Sequence, residues 1–390
     1  MTVIDQIRQF APELTAFRRD LHAHPELGFE EERTAGRIAA ALTDYGCAVH
    51  RGLAKTGVVG TLRRGRSARA VGLRAELDAL PIAELNRFDH RSRHPGRMHA
   101  CGHDGHATML LGAARQLAAS GDFDGTVHFI FQPAEEGGGG ADVMIKEGLF
   151  DKFPCDAVFG MHNMPGLAAG KFSIRPGPMM AGCAFFDIAI DGVGGHGAMP
   201  ESAVDPVVVA SQITLALQTI VSRNMPPFDP AVVSVTRIEA GDAYNVIPAR
   251  CMLRGTARGF TDETMRLIGA RMARLAASIA EGFGATATTD YRVIYPPLVN
   301  DAGEARFLGD VAAALVGEDN VARDGRRLMA SEDFSYMLNA RPGAFLYIGN
   351  GEGEGSCEVH NPNYDFNDGV LPLGASLWVT LVETRLTRQG

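Results

Sequence analysis

The sequence predicts an α/β protein with a mixed, largely parallel sheet flanked by helices, and a smaller ferredoxin-like α+β domain inserted into it. Strand-like and helix-like segments alternate through residues 68–163, a pattern typical of a parallel sheet. Residues 183–297 follow the order β-α-β-β-α-β, which is typical of a ferredoxin-like unit. The 390 residues exceed one ordinary hydrophobic core, so two domains are expected.

The predicted elements of the larger domain begin close to the N-terminus. Apolar residues at every third or fourth position from Ile4 to Leu21 predict one amphipathic helix. A second helix is predicted over residues 106–120, where the apolar pattern ends at a glycine. Three segments rich in β-branched and aromatic residues predict strands: 68–77, 126–133 and 156–163.

The inserted domain is predicted over residues 182–294, so that residues 1–181 and 295–390 form the larger domain. One helix is expected to open at Asp205-Pro206, since Asp is a good N-cap and Pro fits the first turn, and to run to about residue 223. A second helix is expected over residues 261–284. Strands are predicted over 183–192, 231–240, 249–258 and 287–297.

Composition and charge exclude several classes of protein. The net charge of −9 argues against a nucleic-acid-binding protein, which would normally present a basic face. No apolar run approaches the roughly 20 residues that span a bilayer, and the opening MTVIDQIRQF does not read as a signal peptide. The six cysteines have no close pairs, which predicts reduced thiols and a cytoplasmic protein.

The stretch HACGHDGH at residues 99–106 has three interpretations: a metal site, a nucleophilic cysteine or a polar turn. Other polar clusters follow predicted strands: AELDALP with Asp78, QPAEE with Glu135 and Glu136, and MHN with His162. Ligands of open α/β sheets bind beyond the carboxyl ends of the strands, so these clusters are expected to converge. Thiolate, imidazole and carboxylate together favour zinc, manganese or cobalt over calcium or magnesium.

Taken singly, each cluster has an ordinary explanation. Cys101 could be a small buried residue, His162 a hydrogen-bonded one, and the Glu135–Glu136 pair a solvated surface. Their combination favours a metal site, in which one glutamate binds metal and the other transfers protons. The nucleophilic alternative, with histidines lowering the pKa of Cys101, leaves the two carboxylates without a role and lacks an evident oxyanion hole.

Nine motifs carry a resemblance to a known family. RAELDALPI, HACGHDGHATMLLGAA, FQPAEE, MHN, GGHGAMP, NVIPAR, GTAR, SEDF and HNPNYDFND occur in this order over essentially the whole chain. They resemble the family of hippurate hydrolases and N-acyl-amino-acid amidohydrolases, with indole-acetyl-amino-acid hydrolases, aminoacylases and carboxypeptidase G as relatives. The resemblance implies a zinc-peptidase-like catalytic domain and a lid or dimerisation role for the inserted domain.

The resemblance also implies two divalent metal ions (Mn, Zn, Co or Ni), with Cys101 bridging them. Glu135, next to a metal-binding glutamate, would be the general base and acid. His360 could not be assigned from spacing alone. The implied ligands are Cys101, His103, Glu136, His162 and His360.

Further roles are implied outside the ligand set. His196 of GGHG would stabilise the oxyanion across a dimer, although a flexible turn is the alternative. Asn245 and Arg258 would bind the substrate's carbonyl and carboxylate, although Arg258 could equally form a surface salt bridge. Asp78 would orient a ligand histidine, or serve as a turn residue. Glu76 departs from the residue usual in the family and is not assigned as a ligand.

The expected protein is therefore a cytoplasmic, dimeric, dinuclear metal-dependent amidohydrolase. Its partner would be a small molecule, an N-acyl or N-aroyl amino acid, with neither nucleic acid nor membrane involved. A dipeptidase or an N-acetyl-diaminopimelate-type deacetylase is the alternative within the enzyme class. A metal-stabilised binding protein with a dead site is the non-enzymatic alternative, and the presence of Glu135 speaks against it.

Overall fold

The structure is a computed structural model that describes residues 3–353 and 357–388. It divides into two compact units. Compared with the predicted insertion, residues 182–294, the second unit starts four residues earlier and ends four residues later. It also includes a short segment from later in the chain. The first unit consists of Met1–Gly177, Val299–Arg326 and Asp333–Gly390, and the second of Pro178–Leu298 and Arg327–Glu332.

The N-terminal region forms helices α1 (Val3–Arg8), α2 (Ala11–Ala23) and α3 (Glu32–Asp44). The prediction of one continuous helix from Ile4 to Leu21 is wrong. Proline has no N–H to donate and its ring clashes with the preceding turn, so Pro12 is tolerated only where a helix begins. The apolar spacing continues across the break because both helices contribute to the same core.

The remaining elements before the insertion alternate between sheet and helix. Helix α4 begins three residues earlier than predicted, because Gly102 adopts a left-handed φ of 95° and the chain turns into the helix there. The elements are β1 (Ala48–Leu53), β2 (Gly57–Arg64), β3 (Ala70–Glu76), α4 (His103–Ser120), β4 (Gly125–Gln132), α5 (Gly140–Lys146), α6 (Leu149–Lys152), β5 (Ala157–Pro165), β6 (Phe172–Ser173) and β7 (Gly177–Met180).

The strands and helices of the inserted segment follow the predicted order. Helix α7 is followed directly by a π-helical turn, Ile220–Asn224, and two very short strands form a separate pair. The elements are β8 (Gly182–Asp191), β9 (Gly195–His196), α7 (Pro206–Thr219), β10 (Ala231–Ala240), β11 (Val246–Ile247), β12 (Arg250–Gly259), α8 (Asp262–Gly282), β13 (Thr286–Tyr295) and β14 (Leu298–Asn300).

The chain ends with five further elements, which complete the first unit. Short 3₁₀ turns at Pro200–Ser202, Glu318–Asn320 and Asp368–Val370 connect neighbouring segments. The elements are α9 (Ala302–Val316), β15 (Val321–Ala322), α10 (Phe334–Ala340), β16 (Gly343–Gly351) and α11 (Leu371–Arg385).

The eight-stranded sheet of the first unit has the order β1-β2-β4-β3-β5-β16-β6-β15. Its four central strands, β4, β3, β5 and β16, are parallel, whereas β1 and β2 run antiparallel along one edge. The predicted class, a mixed and largely parallel sheet with flanking helices, is confirmed. The carboxyl ends of β3, β4 and β5 therefore meet at one edge, where the polar clusters begin.

The second unit contains an antiparallel sheet with the order β10-β12-β8-β13, and α7 and α8 pack on it. This is the strand order of a ferredoxin-like unit. Its core is separate from that of the first unit and is built from Phe186, Ile188, Ile213 and Met272, among others. Each predicted strand is present with its ends shifted by at most two residues.

Within residues 3–353 and 357–388, none of the helices combines the length and the apolar character needed to cross a bilayer.

Candidate metal and catalytic site

The first unit brings all five predicted ligands to the carboxyl edge of the sheet. Cys101, His103 and His162 form one group, and the nitrogen and sulfur atoms that each could offer lie within 4.8 Å of one another. Cys101, Glu136 and His360 form a second group under the same limit. Because Cys101 belongs to both groups, the arrangement suits two cations that share a sulfur ligand.

His103 is oriented by Asp78, which ends the turn after β3. The His103 Nδ1 atom lies 2.8 Å from the Asp78 carbonyl oxygen and 3.3 Å from its Oδ1. The opposite nitrogen, Nε2, is buried and has no hydrogen-bond partner among the described residues. A histidine held at Nδ1 with a free, buried Nε2 is the usual arrangement of a metal ligand, so the residues fit a divalent cation.

The protonation of His103 agrees with this assignment. Burial opposes the charged ring, but the hydrogen bond and negative charge of Asp78 raise the pKa of His103 to about 10. Asp78 itself is buried, and its own pKa is lowered by His103 against the effect of burial. A cation at Nε2 would take the place of the proton and would be favoured by the same carboxylate.

Cys101 and His162 face each other, with 3.3 Å between Sγ and Nε2. Burial and the neighbouring charge of Glu136 raise the pKa of the Cys101 thiol well above its usual value. Burial lowers the pKa of His162 well below its usual value, so its ring is neutral and donates from Nδ1 to the Asn163 carbonyl oxygen at 2.7 Å. A thiol with a raised pKa is a poor nucleophile, which counts against the nucleophilic-cysteine interpretation.

Glu136 and His360 come from distant parts of the chain. The Glu136 Oε1 atom lies 3.1 Å from His360 Nε2, and the Glu136 N–H donates to Asp78 Oδ2 at 2.9 Å. His360 has a left-handed φ of 66°, and its N–H donates to the Ala100 carbonyl oxygen at 2.7 Å. A non-glycine residue in this conformation is strained, and such strain concentrates at functional sites.

Glu135 lies beside the ligands but outside both groups that contain Cys101. One of its carboxylate oxygens is within 4.8 Å of the ligand atoms of His103 and Glu136. Its Oε1 accepts a hydrogen bond from the Asp333 N–H at 3.3 Å, and the side chain is buried. A buried carboxylate at this place could exchange protons with a molecule held between the ligands.

Sequence reasoning missed the buried polar network beneath Glu135. Arg74 donates to Gln132 Oε1 and to Asp333 Oδ1, each at 2.8 Å, and also pairs with Glu76. The available signal was a charged residue in β3, whose residues are all buried, since such a charge needs partners. Asp333 belongs to the motif SEDF, to which the resemblance assigns no role.

Glu76 and His106 support the ligands without belonging to the assigned set. The His106 Nδ1 atom lies 2.9 Å from Glu76 Oε2, and its Nε2 atom accepts from the Asn163 N–H at 3.0 Å. Glu76 could join His103 and His106 in a further three-ligand group by distance alone. Because Glu76 already pairs with Arg74 and both nitrogens of His106 are engaged, this group is not assigned as a metal site.

In the second unit, His196 and Asn245 lie close together. His196 on β9 is paired with Val246 on β11, and the Gly197 N–H donates to the Asn245 carbonyl oxygen at 2.8 Å. The Ala198 N–H donates to His196 Nδ1 at 3.0 Å, so a neutral ring carries its proton on Nε2. The exposed His196 ring therefore offers a hydrogen-bond donor, as oxyanion stabilisation requires.

Arg258 lies on β12 in the same unit and is half-buried. Its NH1 contacts Cys183 Sγ at 2.8 Å and the Thr256 hydroxyl. In the part of the chain that the structure describes, no carboxylate lies within ion-pair distance of Arg258, unlike the neighbouring Arg254, which pairs with Asp187 at 2.8 Å. The alternative interpretation as a surface salt bridge therefore has no support among these residues.

Comparison with known proteins places the chain in a family. The family model described as "Peptidase family M20/M25/M40" matches residues 72–384. The chain belongs to this family. It is 41% identical over 381 residues to a hippurate hydrolase from Campylobacter jejuni, covering 98% of each chain. It is 40% identical over 375 residues to an IAA-amino acid hydrolase from Arabidopsis thaliana, covering 94% of this chain and 84% of the relative.

The fold has a close counterpart among solved structures. A dinuclear metal-binding peptidase of the M20 family from Bacillus subtilis superimposes with a TM-score of 0.85 at 33% identity, covering 97% of this chain and 99% of that one. The family resemblance predicted from the motifs is confirmed, and so is the prediction of an amidohydrolase at the level of the enzyme class.

Proposed function

We propose that this chain hydrolyses the amide bond of N-acyl or N-aroyl amino acids, releasing a carboxylate and a free amino acid. The observation that carries the proposal is the pair of ligand groups sharing Cys101, with Glu135 beside them but outside both. The names of the similar proteins support the substrate class, since hippurate is N-benzoylglycine and the plant relative is named for acylated amino acids.

We assign two divalent ions, of Mn, Zn, Co or Ni, to the two groups. Cys101, His103 and His162 would hold one ion, and Cys101 with Glu136 and His360 the other. Divalent ions held by these residues would lower the pKa of a bound water and would polarise the amide carbonyl. Asp78 supports both groups, because its carbonyl oxygen accepts from His103 Nδ1 and its Oδ2 accepts from the Glu136 N–H.

Glu135 would act as general base and then as general acid. Its carboxylate takes the proton from the attacking water and passes it to the amide nitrogen, which leaves poorly as an anion. The Asp333 N–H fixes one carboxylate oxygen of Glu135, and Arg74 with Gln132 fixes Asp333 in turn. The base is thereby kept in one orientation during both proton transfers.

The second unit would supply the substrate contacts. His196 would donate from Nε2 to the oxyanion, Asn245 would bind the carbonyl, and Arg258 would bind the substrate carboxylate. We further propose a homodimer in which His196 acts on the site of the other copy. Support comes from large apolar side chains exposed on this unit, such as Leu215 at 68% and Phe228 at 90%, which suit a protein–protein contact.

We also propose a cytoplasmic location for the protein. The spacing of the cysteines supports it, since no two of them are close in sequence, and all six thiols are free.

The proposal is tested by removing the metal and by replacing the base. Chelated protein should not hydrolyse N-benzoylglycine or N-acetyl amino acids, and Mn, Co, Zn or Ni should restore turnover. Glu135→Gln should keep its metal content and lose at least about 100-fold in kcat, because the amide cannot accept the proton. Glu281→Gln, on the exposed surface of α8, is the matched control.

Failure of the mechanism, a dipeptidase and a binding protein each give a different result. Undiminished turnover by the metal-free protein would refute the mechanism, and full activity of Glu135→Gln would refute the assigned base. A preference for dipeptides with a free amino group would indicate a dipeptidase. Metal binding without turnover of any amide in the panel would indicate a binding protein.

A further inference from the structure

The loop that presents Glu135 and Glu136 has a constrained backbone. Ala134, the residue before the pair, has a left-handed φ of 53°. Gly138 packs so closely on Ala134 that a Cβ at Gly138 would lie 2.7 Å from the alanine methyl group. Because L-residues rarely adopt this φ, specific contacts must hold Ala134 in it.

Three buried carboxylates accept backbone N–H groups from this loop and from the first turn of α5, which follows it. Glu31 Oε1 accepts from Ala134, Asp78 Oδ2 from Glu136, and Asp333 Oδ2 from Ala141, each at 2.9 Å. The three carboxylates come from segments far apart in sequence, and each is fully or almost fully buried. Together they fix the loop before, at and after the two glutamates.

The three carboxylates differ in how their charge is compensated. Asp78 faces His103, and Asp333 is paired with Arg74. Glu31 Oε2 accepts instead from the Thr56 hydroxyl at 2.6 Å, and no cationic side chain among residues 3–353 and 357–388 lies within ion-pair distance of it. Burial raises the pKa of Glu31 to about 7, against the stabilising effect of Thr56. An uncompensated buried carboxyl group that serves only packing would be unfavourable.

We propose that Glu31 is a positioning residue for the Glu135–Glu136 pair, which it orients by holding the Ala134 N–H. Through this hydrogen bond Glu31 acts on the backbone of the residue that precedes the pair. The inference rests on the proposed function, in which Glu135 transfers protons and Glu136 binds metal. An error in the direction of either side chain would slow the reaction, because small misplacements of reacting groups have large effects on rate.

Two conservative variants show whether Glu31 must provide a hydrogen-bond acceptor at this distance from the backbone or only a negative charge. Glu31→Gln keeps the length of the side chain and an oxygen that can accept from Ala134, and its amide can donate to Thr56. Glu31→Asp keeps the charge but is one methylene shorter, so the 2.9 Å hydrogen bond is lost. Glu32→Gln, with a side chain 75% exposed, is the control at the neighbouring position.

The metal-loaded variants are compared by steady-state hydrolysis of N-acyl amino acids, and by amide hydrogen exchange of a peptide that includes Ala134. We expect Glu31→Gln to keep kcat within about threefold and Glu31→Asp to lose about tenfold or more, with KM changing less than kcat. The Ala134 peptide should exchange faster in Glu31→Asp alone. Glu32→Gln should match the parent protein in both measurements.

Several results would overturn the inference. The inference fails if Glu31→Asp is as active as the parent protein. It also fails if Glu31→Asp is active and Glu31→Gln is not. Either result would show that the distance between the acceptor and the backbone is unimportant. Unchanged exchange of the Ala134 peptide in Glu31→Asp would show that Glu31 does not hold this N–H. A parent protein that hydrolyses nothing in the panel refutes the proposed function instead, and the exchange measurement still decides the role of Glu31.

Discussion

The stability of the protein should depend on pH through His22, a buried residue of α2. The His22 Nδ1 atom lies 2.9 Å from Asp104 Oδ2, and its Nε2 atom lies 3.2 Å from Glu84 Oε1. Burial and the charge of Arg18 oppose protonation, but the two carboxylates outweigh them and raise the pKa of His22 from 6.5 to about 9. The folded state therefore binds a proton that the unfolded chain releases at lower pH.

The size of the effect follows from this pKa difference. About 2.5 pH units, at roughly 1.4 kcal/mol per unit, correspond to about 3.5 kcal/mol of unfolding free energy. Since the folded-state pKa is raised, the contribution is fully present below about pH 6.5 and is lost as the pH rises through 9. His22→Gln can keep one hydrogen bond but cannot carry the charge.

The assay is urea unfolding of the metal-free parent protein and of His22→Gln between pH 6 and pH 10. The variant should be less stable at pH 6, and the difference should shrink by about 3.5 kcal/mol towards pH 10. Titrating groups that do not interact with His22 are common to both proteins and cancel in the difference, whereas Asp104 and Glu84 titrate together with it. His24→Gln, at the half-buried end of the same helix, is the matched control substitution. A stability difference that is the same at every pH would refute the reasoning.

Three further predictions concern the site and the second unit. Gly102→Ala should lower the unfolding free energy by about 2 kcal/mol or more in urea titrations, since φ is 95° and the new methyl group would overlap Asn163 Oδ1; unchanged stability would contradict the packing. Arg258→Gln should raise KM for N-acyl amino acids about tenfold but leave KM for the corresponding C-terminal amides unchanged, and an equal rise for both would remove the carboxylate-binding role. Dimers of mixed His196→Ala and Glu135→Gln chains should regain turnover, because one site then has both groups if the histidine acts across the dimer; no recovery in verified mixed dimers would argue for action within one chain.

The sequence predicts those features that depend on neighbouring residues. The alternation of apolar segments predicts the parallel strands and the ferredoxin-like order, and the residue types at strand ends predict the cluster around Cys101. Contacts between residues that are distant in sequence cannot be predicted from the pattern of neighbouring residues. Spacing gives no indication that His360 reaches Glu136, or that Asp333 is held by Arg74, since these contacts exist only once the sheet has formed.

Local chemistry also explains why the predicted bounds of the N-terminal helix and of α4 differ from the structure. The periodicity of the first 21 residues continues through a break because it records which side faces the core and not whether the backbone is continuous. Pro12 was the available signal for the break. Helix α4 begins earlier than predicted because Gly102 sets the turn, so His103 lies on the first turn of the helix instead of in a loop.

The order of the ligands along the chain has a consequence for how the protein matures. Cys101, His103 and His162 precede the inserted segment, whereas His360 follows it by a wide margin. During synthesis, the first ligand group is complete long before the last histidine exists. A product shortened before residue 360 would lack His360, so of the two proposed groups only Cys101, His103 and His162 would keep the full set of donors.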